Sequence, residues 1–377
     1  MDPEPPAAKM TRDLVESKKH EFTWKPQPIL SKEITGDVIL EKSFVAVLKD
    51  KKLISRAIQS LAKCLPIPQH LKRCSGLRIY LAPINKFQGD SHKLKTFLAE
   101  KDFDVDSIED DLEIVNNASV APRTKSQAAQ ALEHWPVNFH PDIDLEELIG
   151  GSIFEQEQLA SIEACMRLAM AAAKEAAVGS AECNGSALIV DPESGSVLAI
   201  AASSMDKHPM WHASMLAVDL VAKSQGGGAW SLTTSDRSRD AREGTCKRKH
   251  PDDGQALCYP HSLAKLLDIP RSCSLNLAKT NRKKEKRSSP SDKTGPYLCT
   301  GYWAVLLREP CPLCSMALLH SRVSRIFYGA ANSVTGILGS KAALHSVPGL
   351  NHRYQVWSSV LEDECARSLE QCRTIHC

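Results

Sequence analysis

Apolar and polar positions in the first third of the chain alternate between two periods. FVAVL (Phe44–Leu48) and LRIYLAPI (Leu77–Ile84) are short apolar runs that predict strands. LISRAIQSLAKCL (Leu53–Leu65) and HKLKTFLAEKDF (His92–Phe103) space their apolar residues as one helix face, and LEIVNNASVA (Leu112–Ala121) predicts a third strand. A small α/β domain is therefore expected over 41–121, behind a Pro- and Lys-rich N-terminus, 1–40, expected to be loose apart from a short segment near Val38–Leu40. No nucleotide-binding glycine loop follows any of these strands, so no cofactor is expected in this part.

A connector follows over 122–150, with proline near both ends of its VAPRTKSQAAQALEHWPVNFHPD run, a short helical middle, and Trp135 and Phe139 to pack against a neighbour. The second domain, 151–377, opens on EQEQLASIEACMRLAMAAAKEA (Glu155–Ala176), whose apolar positions 159, 162, 165, 166, 169, 170 and 173 mark one buried helix face. SALIVDPESGSVLAIAAS (Ser186–Ser203) reads as a hairpin around Pro-Glu-Ser-Gly. HPMWHASMLAVD begins a helix that carries His212 and runs to about Lys223. Periodicity is then lost over 224–296, where a disordered basic insertion is expected. YLCTGYWAVLL (Tyr297–Leu307) predicts a strand running into EPCPLC, then come the helix CPLCSMALLHS, the strand RIFYGA (Arg325–Ala330), a loop, LNHRYQVWSSVL, and a cysteine-bearing tail. Each helix with candidate ligands has a strand close beside it, so both could lie on one face of one sheet.

Composition narrows the class. At 377 residues two domains are expected, and 42% apolar with 24% charged residues is an ordinary globular balance. No run of about 18 apolar residues suggests a membrane span, and MDPEPPAAKMTRD lacks the pattern of a signal peptide. Thirteen cysteines argue for reduced thiols, some of them metal ligands. Net charge is only +2, but 224–296 holds 15 Lys and Arg against 8 Asp and Glu, a local excess of +7. Its runs KRKH (Lys247–His250) and RKKEKR (Arg282–Arg287) suit nuclear import or a non-specific RNA tether.

The candidate chemistry sits in two places far apart in sequence. Cys311 and Cys314 follow Pro310, a residue that favours starting a helix, and their i, i+3 spacing puts both sulfurs on one face of its first turn. A helix N-terminus also favours the thiolate. His212, at the start of another helix, can add an imidazole. Two sulfurs, one nitrogen and one vacancy make a catalytic-type zinc site, since zinc takes such ligands in tetrahedral array.

These blocks resemble the cytidine/deoxycytidylate and tRNA adenosine deaminase superfamily, whose signature is H-x-E followed by P-C-x-x-C. Within it the chain is most similar to the non-catalytic subunit of the eukaryotic heterodimeric tRNA adenosine deaminase. HPMWHASMLAVDLVA, YLCTGYWAVLLREPCPLCSMALLHSRVSRIFYGA and LNHRYQVW carry the likeness, behind an extra N-terminal domain and the VAPRTKSQ…HWP connector. The resemblance implies a C-terminal three-layer α/β/α domain with a central mixed sheet, plus the small N-terminal α/β domain. It implies Zn2+ held by His212, Cys311 and Cys314.

Ser214 stands where the superfamily has its proton-carrying glutamate. General acid–base help is worth about 10² to 10⁴-fold, and a serine hydroxyl titrates too high to replace it. Asp219 lies two turns further on, and Glu309 is expected to position backbone at the helix start. The resemblance then implies a chain without its own catalysis that pairs with an H-x-E subunit in a hydrolase acting on tRNA, converting wobble adenosine to inosine. The N-terminal domain is the expected tRNA handle, with Lys51, Lys52, Lys72, Arg73 and Arg78 as candidate contacts. His376 or Cys377 could fill the fourth zinc position. Nucleus and cytoplasm are the expected locations. A stand-alone zinc deaminase and a non-enzymatic zinc-stabilised module are the competing readings.

Overall fold

The computed structural model describes residues 24–179, 183, 185–232, 256–267 and 297–375. Its first part comprises β1 (Gln27–Pro28), α1 (Lys32–Thr35), β2 (Leu40–Val47), α2 (Ile54–Cys64), β3 (Cys74–Ser75), β4 (Arg78–Pro83), α3 (Ser91–Glu100) and β5 (Glu113–Ala118). Next come α4 (Lys125–Leu132), α5 (Ile143–Gly150), α6 (Gln156–Ala176), β6 (Ser186–Asp191), β7 (Ser196–Ala202) and α7 (Ala213–Ser224). The remainder is β8 (Leu257–Tyr259), α8 (Ala264–Leu267), β9 (Trp303–Arg308), α9 (Pro312–His320), β10 (Arg325–Ala330), β11 (Gln355–Ser358) and α10 (Glu362–Ile375).

The smaller sheet is antiparallel throughout, in the order β3-β4-β2-β5. Alternation along β2 sends Phe44 and Ala46 to one face, where they meet Leu61 of α2 and Leu94 and Leu98 of α3. Val45 points the other way, onto Tyr80, Ala131 and Trp135. The connector thus covers the second face of this sheet. Trp135 is fully buried and its indole N–H donates to the Lys72 carbonyl at 2.8 Å.

The larger sheet has seven strands in the order β1-β11-β10-β9-β6-β7-β8. β9, β10 and β11 run parallel, β6 is antiparallel to both β7 and β9, and the sheet is mixed. Period-two alternation divides its core. Leu188, Val190, Val305 and Leu307 face Ile162, Met166 and Ala169 of α6 and Cys365 and Leu369 of α10. Ala187, Ile189, Ala304 and Leu306 face Leu216 and Leu220 of α7 and Leu318 and Leu319 of α9. The result is a three-layer α/β/α arrangement, with α7 and α9 side by side on one face.

Four local expectations need correction. The N-terminus is not loose to residue 40: Trp24 is buried with its indole donating to Glu163 at 2.7 Å, and β1 pairs antiparallel with β11. The stretch 224–296 is not all insertion either. β8 adds a strand parallel to β7, with Cys258, Tyr259 and Leu263 buried, because a few apolar residues sit inside a window whose average is polar and basic. Residues 233–255 and 268–296, with both basic runs, lie outside the described residues. The strand expected from Tyr297 starts only at Trp303, since Leu298 and Gly301 take positive φ values of 48° and 86° in a turn before it. Finally, the cysteine-bearing tail forms α10, which buries Cys365 and Cys372 against α6.

Candidate metal site

His212 and Cys311 reach the site by the same device. Each is the extended residue at the start of a helix on one face of the large sheet, His212 before α7 and Cys311 before α9. The α9 helix starts on Pro312 rather than just after Pro310, so Cys311 is its N-cap residue and Cys314 lies in the first turn. Because α7 and α9 pack together, the two N-termini converge. His212 Nδ1 lies 3.6 Å from Cys311 Sγ, with both residues about 7% exposed.

A cavity of about 30 Å³ opens here, lined among others by His212, Ser214, Glu309, Cys311, Cys314 and Cys183. That is room for an ion and a water, given that a water needs about 10–15 Å³ on this measure. Three ligand atoms, from Cys183, His212 and Cys311, lie within 4.8 Å of one another. Cys314 neighbours Cys311, and the Ser214 hydroxyl lines the same cavity. Hydrogen bonds from Cys183, Cys314 and His212 hold the Cys311 thiol well below the ordinary cysteine range, as a thiolate. Cys314, deep and beside that charge, is pushed the other way.

This donor set fits zinc. Bonds of about 2.1 Å to nitrogen and about 2.3 Å to sulfur at the tetrahedral angle put two ligand atoms about 3.6 Å apart. The observed His212–Cys311 separation is that edge. Among the described residues, His212 and Cys311 therefore meet, while Cys314 neighbours Cys311 but lies outside the group of three that Cys183 completes. His376 and Cys377 lie outside the described residues. Cys183 belongs to no motif and is not legible in the sequence; its only signal is a cysteine near the first strand of the hairpin.

The carboxylates do not replace the missing glutamate. Glu309 lines the cavity, but both its oxygens are committed to the loop after β10. Oε1 accepts from the amides of Leu338 and Ser340, each at 2.9 Å. Oε2 accepts from the Asn332 amide at 2.9 Å and from the Ser340 hydroxyl. So close is this loop that a Cβ on Gly336 would fall 2.3 Å from the Glu309 carboxylate, which only glycine avoids. Asp219, further along α7, accepts from the Ala229 amide instead.

Known proteins can now be set beside this geometry. A scan of family models finds no match. The chain is 31% identical to the probable inactive tRNA-specific adenosine deaminase-like protein 3 of Rattus norvegicus, over 377 aligned residues covering 94% of each chain. The chain belongs to this family. It is also 28% identical to the tRNA-specific adenosine deaminase TAD3 of Arabidopsis thaliana, across 65% of this chain and 70% of that one. The tRNA-specific adenosine deaminase subunit tad3 of Schizosaccharomyces pombe is 25% identical across 63% and 56%. The word inactive in the first name agrees with Ser214, which stands 6% exposed in the cavity wall where a proton-carrying glutamate would be needed.

For this family member the basic candidates on the small domain divide. Lys51, Lys52 and Lys72 are exposed. Arg73 is not a free surface charge: its guanidinium donates to the carbonyls of Tyr80 at 3.0 Å and Leu65 at 2.6 Å, and burial lowers its pKa. Arg78 pairs with Glu113 at 2.7 Å and lies 5.7 Å from the Trp135 ring. Arg73→Met is therefore expected to cost about 2 kcal/mol of stability, since two carbonyls lose a charged donor. Lys51→Ala with Lys52→Ala should stay within about 0.5 kcal/mol of the native chain. Urea unfolding of each variant checks both, and equal losses would remove the distinction.

Proposed function

We propose that this chain is the non-catalytic, zinc-binding subunit of a heterodimeric tRNA adenosine deaminase that converts wobble adenosine to inosine. The observation that carries the reading is Ser214, which occupies the position of the proton carrier and is buried in the cavity wall. Membership in the family supports the substrate and the pairing, since its relatives are named as tRNA-specific adenosine deaminases and, in one case, as a subunit.

In this role His212, Cys311 and Cys314 hold zinc between the N-termini of α7 and α9. When bound, the ion would tie the two helices together. Ser214 moves no proton. Glu309 holds the loop after β10 in place. The catalytic partner brings the intact H-x-E site, while this chain brings scaffold and tRNA contacts. The exposed Lys51, Lys52 and Lys72 engage phosphates, and such contacts weaken with salt. The basic runs at 247–250 and 282–287 suit import into the nucleus, with the assembled enzyme serving nucleus and cytoplasm.

An inosine assay on tRNA with adenosine at the wobble position tests this. The purified chain alone should give background conversion, and co-purified with an H-x-E partner it should give full activity. Conversion by the chain alone, abolished by His212→Ala, would instead establish a stand-alone deaminase. If the chain bound zinc yet changed no deaminase, it would be an interaction module only.

A further inference from the structure

Cys183 lies in the short segment between α6 and β6, outside every motif that marks the site. Both ends of this segment are fastened to the same place. The Val178 amide donates to the Ser203 carbonyl at 2.8 Å. Gly185 exchanges with Ser203 in both directions, receiving its amide at 2.9 Å and donating to its hydroxyl at 3.2 Å. The next residue, Ser204, donates its amide to the Trp211 carbonyl at 2.9 Å and so fixes the chain just before His212. The end of β7 therefore holds Cys183 and His212 in register with each other. Cys183 then completes a cluster with His212 and Cys311 in which the three ligand atoms lie within 4.8 Å of one another.

On the zinc reading just proposed, which this inference rests on, three ligands come from His212, Cys311 and Cys314. A catalytic zinc leaves the fourth place to water. We infer that Cys183 is a fourth zinc ligand and closes the site with a thiolate where a working deaminase keeps water. Three thiolates and a neutral imidazole around a divalent ion carry a total charge of minus one. Such a centre has no open position and is a poor Lewis acid, which is the behaviour of a structural zinc. The missing carboxylate fits the same picture: the site serves to hold the fold rather than to perform chemistry. Cys183 is partly exposed while the other ligands are buried, so it shuts the mouth of the cavity rather than its floor. The tail residues His376 and Cys377 are not needed for closure.

Cobalt exchanged into the full-length chain reports the ligands directly, because the sulfur-to-cobalt charge-transfer band scales with the number of thiolates. If the chain is purified with its partner, the partner's contribution is common to all variants and cancels in difference spectra. Cys183→Ser should lose about one third of the band as three thiolates become two, and should release zinc to a chelator at least about tenfold faster. A chain ending at Ile375 should match the full-length protein in both. If Cys183→Ser leaves the band and the release rate unchanged while the wild type holds zinc, the inference fails and the zinc reading stands. The inference fails equally if the shortened chain loses the third of the band instead. A wild-type chain that takes up neither cobalt nor zinc would overturn both.

Discussion

Glu309→Ala is expected to destabilise the chain by about 3–5 kcal/mol, among the largest effects of any single substitution outside the metal ligands. The carboxylate accepts from three backbone amides and one hydroxyl, all of them on the loop 332–340. It is 2% exposed, so its removal strands donors that water reaches poorly, and each buried orphan costs about 1–3 kcal/mol. Partial collapse of the loop keeps the total below the sum. Glu309→Gln keeps the shape and one acceptor but turns its NH2 toward a donor, so a loss of about 2 kcal/mol is expected. Because Glu309 adjoins Pro310 and Cys311, zinc retention should fall together with stability. Urea unfolding and metal content on the same samples decide the matter. A Glu309→Ala chain within about 1 kcal/mol of the wild type would show that the loop does not depend on this carboxylate.

His212→Ala and Cys311→Ala are expected to abolish zinc binding and to lower Tm by more than any surface substitution. Each removes a ligand that one helix contributes, and with it the tie between α7 and α9. Structural zinc in small folding units is worth about 10–16 kcal/mol, an upper bound for a domain that also has a core. A ligand that binds only the folded state stabilises it in proportion to the logarithm of its concentration over its Kd. A chelator should therefore lower the Tm of the wild type toward that of the two variants and leave the variants unmoved. In the assembled deaminase the same substitutions should cut activity by reducing the amount of folded complex, with kcat per intact complex preserved. An effect on kcat at full occupancy would mean that this site takes part in the chemistry. Equal zinc content in wild type and both variants would remove His212 and Cys311 from the ligand set.

The division between what could be read from residues alone and what could not follows from range. Most helices and strands of both sheets could be read because their signals are local: the Glu155–Ala176 face repeats within one helix, and the Ser186–Ser203 hairpin has its turn between its own strands. Two exceptions were equally local failures. β8 was lost because three residues cannot outweigh a charged window around them, and β1 because two residues carry no period. Three candidate ligands could be picked out for the same reason, since Cys311 and Cys314 are three apart and His212 precedes a helical run.

What no local pattern could supply is the meeting of distant chain segments. Ser214 by itself determined that the proton carrier is absent, because the loss is a matter of residue type at a motif position. The three layers were expected from the family resemblance of the motif blocks, and period-two burial on the large sheet realises them. Tertiary structure alone decided that Glu309 belongs to the loop of Asn332 and Ser340, that Arg73 serves carbonyls, and that Cys183 joins His212 and Cys311. The reason is physical. Burial leaves a polar or metal-binding group to find its partner wherever the fold brings one, and that place is set by the packing of α7 and α9 on one sheet, not by distance along the chain.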